Sequence, residues 1–189
     1  YVDLLLMGVT GNLSEEQRSF MMIVKNNSER LNSLINDMLE LTTIEAGKAN
    51  LSIHPTDIFT LANEVLERFR ERSQKENKLV EFSIEADSAL PLALADPERA
   101  KQIFDNLLSN AYSFTQQDGK IVISLKQSGH TLQVDITDNG VGIARDQRDL
   151  IFDQFTWVDH PADQSGKGIG LGLPIVKQLV EMQNGKIWV

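Results

Sequence analysis

Residues 135–144 read DITDNGVGIA, and here a strand pattern breaks off into a turn. Upstream, Leu132, Val134 and Ile136 alternate with Gln133, Asp135 and Thr137, so one strand face is apolar and the other polar. Asn139-Gly140 suits a tight reversal, because both residue types tolerate positive φ. An ordinary turn leaves Asp138 and Gly142 unexplained. A carboxylate at a strand end can accept a hydrogen bond from the exocyclic amine of a purine, and glycines let a ligand approach the backbone closely.

Working outward, Ile121, Ile123 and Leu125 form a strand joined through Ser128-Gly129 to the one beginning at Thr131. Val80, Phe82 and Ile84 alternate with Glu81, Ser83 and Glu85 as a further strand. Ile58, Leu61, Ala62, Val65 and Phe69 give a helical face, and Asp96-Pro97 caps and opens another helix. Pro174 to Gln183 reads as a last helix ended by Gly185, with Lys186 to Val189 starting another strand. These elements predict an α/β sandwich over residues 55–189, helices against one face of a mixed sheet.

Residues 1–50 have a different rhythm. Ser14 and Gln17 make a capping box, after which Phe20, Val24, Asn27, Leu31, Leu34, Met38 and Leu41 recur at spacings of four and three. Continued to Ala46, this helix would run roughly 50 Å before Gly47 stops it. Residues 1 to 8 offer only about 12 Å of antiparallel partner. The start therefore reads as cut, and the hairpin is expected to complete a four-helix bundle with a second copy. Asn27 on the seam fits a residue that sets register, or one merely tolerated there. The whole is α+β: a helical hairpin over 1–50, then the sandwich.

Composition narrows the function. With 189 residues, 41% hydrophobic and 24% charged, the chain has an ordinary globular make-up. A net charge of −9 argues against nucleic acid, whose backbone needs a positive field. The absence of cysteine excludes disulfides and thiolate metal sites and suits a reducing, cytoplasmic setting. No run reaches the roughly 18 to 20 apolar residues of a membrane span, so no membrane contact is expected here, whatever tethers the parent protein.

Two more motifs carry chemistry. In DNLLSNAYSF (105–114), Asn106 and Asn110 stand four apart and share a helix face, while Leu107, Leu108 and Ala111 point to the core. Two such amides are compatible with plain solvation or with a Mg²⁺ ion, which prefers few protein oxygens plus waters and phosphate. Phe114, a turn further on, suits either a flat base or the core. In GKGIGLGLPIVKQLV (166–180), glycines lead into a helix whose N-terminal N–H groups can bind phosphate, although such a stretch also serves as a plain loop. Lys167 could add a charge contact or remain solvated.

Together these stretches resemble the sensor histidine kinases. NLLSNAYSF is similar to their N box, DNGVGI to the G1 box, IFDQF (151–155) to the F box and GIGLGL (168–173) to the G2 box. ERLNSLINDMLELTTIEAGK (29–48) resembles the second helix of the dimerisation and phosphotransfer domain. The resemblance implies an ATP-binding catalytic domain over 55–189 with a lid at about residues 144–170. It implies ATP and Mg²⁺ as ligands, a homodimer, and a response-regulator receiver domain as partner. By resemblance Asn110 is the Mg²⁺ ligand, Asn106 supports the metal and phosphates, and Asp138 reads adenine. Gly140, Gly142, Gly168, Gly170 and Gly172 shape the phosphate path, and Phe114, Ile143, Lys167 and Leu171 complete the nucleotide set.

The chain also departs from the family pattern. The family's acceptor is a histidine followed by an acidic residue and, a little later, proline; His54, His130 and His160 all lack that context. The acceptor is expected about a dozen residues before Tyr1, so these 189 residues alone are not expected to autophosphorylate. Ser113 stands where relatives often carry a lysine, and the last glycine box and closing strands would fall beyond Val189. Two alternatives remain at this point. One is an ATPase of the gyrase and heat-shock type, although its glutamate base is replaced by Asn106 and Asp105 points about 100° away. The other is a non-catalytic nucleotide-sensing module.

Overall fold

A computed structural model describes residues 1–9, 11–156 and 170–189. Its contacts divide the chain into two compact units, Tyr1–Lys48 and Ala49–Val189.

In the first unit a short helix α1 (Val2–Leu6) precedes a long helix α2 (Glu15–Glu45). The capping box forms as its residues dictate: Ser14 Oγ accepts from the Gln17 N–H at 3.2 Å, and Gln17 Oε1 accepts from the Ser14 N–H at 2.9 Å. At the other end Gly47 adopts φ +64. The Lys48 N–H bonds the Thr43 carbonyl and the Gly47 N–H that of Ile44, a Schellman stop. Helix α1 runs antiparallel to the start of α2, tied by the Asp3–Lys25 ion pair at 2.6 Å and by Arg18 donating to the Leu6 carbonyl. Beyond α1 much of the seam is open, although Leu41 near its end is buried. Phe20, Val24, Leu31 and Met38 are 44–58% exposed.

In the second unit β1 (His54–Thr56) pairs antiparallel with β3 (Ala93–Ala95). The main sheet places β4 (Gly119–Ser128) in the middle, parallel to β2 (Val80–Ala86) and antiparallel to β5 (Thr131–Asp138). Helices α3 (Ile58–Lys75) and α4 (Pro97–Phe114) supply the covering layer. Val65, Leu66 and Leu108 from the helices meet Ile121, Ile123 and Leu125 from β4, all with no exposed surface. Each such side chain contributes roughly 1.5–3 kcal/mol on burial. Helix α5 (Gly172–Met182) buries Ile175, Val176 and Leu179 outside that cluster and packs on α4. The expected α/β sandwich with a mixed sheet is thus the observed one.

Three local expectations need correction. Helix α5 starts at Gly172, not Pro174, and Pro174 occupies the first turn, where its missing N–H has no intrahelical role. Asn184, not Gly185, takes the left-handed conformation after α5, at φ +60. Gly185 is needed for space instead, since a Cβ there would lie 2.8 Å from Val180 Cγ1. Residues 186–189 form no strand, because no described neighbour offers them a ladder.

Candidate functional site

The site is assembled around α4. Asp96 caps it, with Oδ1 accepting from the N–H groups of Glu98 and Arg99 at 3.0 and 3.2 Å. Its Oδ2 takes the Ser52 N–H at 2.8 Å, and its own N–H donates to Gln183 Oε1 at 2.8 Å, tying α4 to the end of α5. Burial opposes the Asp96 charge, but the N–H groups of Ser52, Arg99 and Glu98 outweigh it and hold the carboxyl below its ordinary value.

Helical periodicity then turns Phe104, Leu108 and Ala111 into the core and leaves Asn106 and Asn110 half-buried on another face. Among the described residues neither amide has a hydrogen-bond partner. A Cβ on Gly172 would stand 3.2 Å from Asn106 Oδ1, so the first residue of α5 lies directly against that amide. No described side chain caps α5. Among the described residues no side chain therefore accepts from its first N–H groups. Asp105, by contrast, is held by Arg68 of α3 at 2.9 Å, on a different side of the helix.

The C-terminal turn of α4 meets the DNG turn. A Cβ on Gly140 would lie 2.4 Å from the Phe114 carbonyl oxygen and 2.8 Å from Asp138 Oδ1. No side chain fits there. The Gly140 N–H donates to Asp138 Oδ1 at 2.9 Å, and the carboxylate is otherwise exposed. Gly142 is constrained differently: it has φ +72 with open space around it, so its requirement is conformational. Ile143 is half-buried, and its carbonyl accepts from Arg148 Nε at 3.4 Å.

Phe114 is 44% exposed, which rules out the core alternative for its ring. Leu171 is 1% exposed, so its side chain serves packing. Gly170, at φ +71, accepts from the Phe155 N–H at 3.1 Å and leaves room only for the Thr156 backbone. Residues 156 and 170 thus meet. Lys167 and Gly168, with Gly166 and His160, lie outside the described residues.

The structure therefore brings Asn106, Asn110 and Gly172 to one side of α4, and Phe114, Asp138 and Gly140 to its C-terminal end. Sequence reading missed Asn139 and Gln183, whose contacts join segments far apart in the chain; neither carries a local signal beyond turn or helix-end preference. A groove of ≈460 Å³ between α3 and β2, lined by Arg70, Ser73, Leu79 and Phe82 among others, includes none of the expected site residues.

The chain is similar to known proteins in sequence and in fold. Residues 95–189 match the family described as histidine kinase-, DNA gyrase B- and HSP90-like ATPase, and residues 1–47 match the His kinase A (phospho-acceptor) domain. The circadian input-output histidine kinase CikA of Synechococcus elongatus is 34% identical over 98% of this chain, which spans 24% of CikA. The full-length structure of ShkA in complex with AMPPNP matches 95% of this chain at 32% identity and TM-score 0.75, over 37% of ShkA. The catalytic domain of the histidine kinase ThkA, nucleotide-free, matches 73% of this chain at 30% identity and TM-score 0.63, over 88% of that domain. Four ordered boxes, an α/β sandwich in which α4 meets Gly140 and Gly172, and these matches lead to one conclusion: the chain belongs to the sensor histidine kinases of two-component systems and carries their ATP-binding domain.

Proposed function

We propose that residues 55–189 bind MgATP between α4, the turn after β5 and the start of α5. The γ-phosphoryl group then passes to a histidine imidazole and from there to an aspartate of a response-regulator receiver domain. The observation that carries this reading is the way one helix joins both glycine boxes, Asn106 against Gly172 and the Phe114 carbonyl against Gly140.

Each residue then has a physical task. Gly140 occupies Asp138 Oδ1, which leaves Oδ2 to accept from the 6-amino group of adenine. The exposed Phe114 ring offers the base a face. The uncapped N-terminus of α5 receives phosphate oxygens, with Gly168, Gly170 and Gly172 admitting them to the backbone and Lys167 adding charge. Asn106 and Asn110 supply hard amide oxygens without competing partners among the described residues. No group of three or more His, Asp or Glu that could hold a metal occurs among the described residues. That donor set suits Mg²⁺, which keeps waters and phosphate oxygens in its shell. Bound Mg²⁺ neutralises phosphate charge; the chain's own residues orient the nucleotide and exclude alternatives.

The AMPPNP in the similar ShkA supports an ATP-type ligand. The open seam of α2 supports a dimer through the helical unit, residues 1–50. The acceptor is none of His54, His130 and His160, whose neighbours lack the acidic and proline pattern. Asp105 is committed to Arg68, which speaks against a water-activating base on this helix.

The test is to titrate the chain with ATP, with and without Mg²⁺, and to incubate a longer protein that includes the expected histidine with γ-labelled MgATP. Acid-labile, alkali-stable label on protein, lost in Asn110→Ala, supports the proposal. Label released only as free phosphate favours the ATPase alternative. Binding without any transfer favours a sensing module.

A further inference from the structure

The strand that ends in Asp138 stops in an unusual way. The last ladder pair of β4 and β5 is Ile121 with Asp138, and the next would be Lys120 with Asn139. In a continuing antiparallel ladder, those two residues would exchange both backbone bonds. Only one forms: the Asn139 N–H donates to the Lys120 carbonyl at 3.2 Å. The Lys120 N–H goes instead to the Asn139 side chain, at 2.7 Å from Oδ1. A side-chain amide therefore replaces the backbone carbonyl in the final rung. The rung is satisfied while the main chain is released to turn toward Gly140.

The surroundings are shaped to this latch. A Cβ on Gly119 would lie 2.9 Å from Asn139 Oδ1 and 2.2 Å from Thr115 Cγ2, so only glycine admits the Asn139 side chain beside the C-cap of α4. Asp138 thus stands between two fixed neighbours, Asn139 latched to β4 and Gly140 seated on the Phe114 carbonyl. Asp138 itself is exposed and, among the described residues, its side chain is bonded only to the turn, so its direction depends on them.

We infer that Asn139 is a positioning residue for base selectivity: by closing the last rung with its side chain, it aims the Asp138 carboxylate at the 6-amino group of the purine. This rests on the proposed reading of Asp138 as the adenine reader. The loss expected is that of one charge-assisted hydrogen bond, about tenfold in the preference for an amino-bearing base.

The test is competition against a fluorescent ATP analogue, with Mg²⁺ present, using ATP and purine riboside triphosphate, which lacks the 6-amino group. Asn139→Ala should lower the preference for ATP about tenfold, whereas Asn139→Asp, which keeps an oxygen for the Lys120 N–H, should retain it. Asn139→Ser, too short to span the rung but able to support the turn, is measured beside the alanine variant and replaces it if that protein does not fold. Equal weakening of both nucleotides, or an unchanged preference, overturns the inference. Asp138→Ala separates the two levels: if it leaves the preference intact, the adenine reading itself fails; if it abolishes the preference while the Asn139 variants do not, only the latch fails.

Discussion

Gly140→Ala tests the junction between α4 and the DNG turn directly. The added methyl would sit 2.4 Å from the Phe114 carbonyl oxygen and 2.8 Å from Asp138 Oδ1, far inside the 3.4–4 Å of ordinary contact. The first obstacle is backbone, so no side-chain rotation relieves it. Forcing a methyl into such a site costs about 1–3 kcal/mol. If the turn moves away from α4 instead, Asp138 moves with it, and each 1.4 kcal/mol lost there weakens the nucleotide about tenfold. Gly129→Ala is the control for destabilisation away from the site. Unlike Gly140, Gly129 has positive φ, +61, and a Cβ there meets open space at the β4–β5 hairpin, remote from Asp138 along both strands. Its cost is the left-handed strain alone, about 1–2 kcal/mol. Thermal unfolding should show both variants destabilised, Gly140→Ala by roughly 5 °C. Calorimetric titration with MgATP should show a loss of about tenfold or more for Gly140→Ala and none for Gly129→Ala. Wild-type affinity in Gly140→Ala, or equal losses in both, would refute the argument that this glycine seats the turn on the helix.

Other outcomes follow from single residues. Asn110→Ala should leave stability within about 0.5 kcal/mol, because its amide has no partner among the described residues, yet remove the Mg²⁺-dependent part of ATP affinity in the same titration. Leu31→Glu places a charge on the open seam of α2 and should convert the expected dimer to monomer in sedimentation analysis, with helix content unchanged in circular dichroism. Tyr112 is buried at the end of α4, and burial first, then its hydrogen bond to Glu76, raises its hydroxyl from 10.0 to about 12. A raised folded value means that stability is fully present below 10.0 and is lost as pH climbs toward about 12. Denaturant titrations over that range should show the decline, and Tyr112→Phe should lose both it and the late tyrosinate absorbance step. The Asp96 carboxyl, held below its ordinary value, works in the opposite sense: its stabilisation is present above the unfolded carboxylate range and is lost as pH falls through the folded value. Asp96→Ala should flatten the acid limb of the stability profile, measured the same way.

The local layer of this protein was legible because its causes lie within a few residues of one another. The Ser14–Gln17 capping box, the Gly47 stop, the Asp96 cap and the alternation of Ile121, Ile123 and Leu125 all follow from helix and strand periodicity, and all form as read. The ordered boxes around Asn106, Asp138 and Gly172 marked the family for the same reason: their residue types and spacing suit one kind of ligand backbone. Where reading failed, the deciding partner was distant. The glycine after α5 was needed for the space beside Val180, while Asn184 took the left-handed position. Whether residues 186–189 became a strand depended on a neighbour to pair with.

By itself, then, the sequence determined the long helices and the three strands of the main sheet, that two units follow one another, and which side chains could handle a purine, a phosphate and a hard cation. Only the tertiary structure decided that Asp105 belongs to Arg68, that Phe114 stays outside the core, and that Asn139 closes the last rung of the sheet. The physical reason is range. Propensity and periodicity act through bonds and over a turn or two of chain, whereas the contacts between Asn106 and Gly172, or Gly140 and Phe114, exist only once packing has brought those segments together.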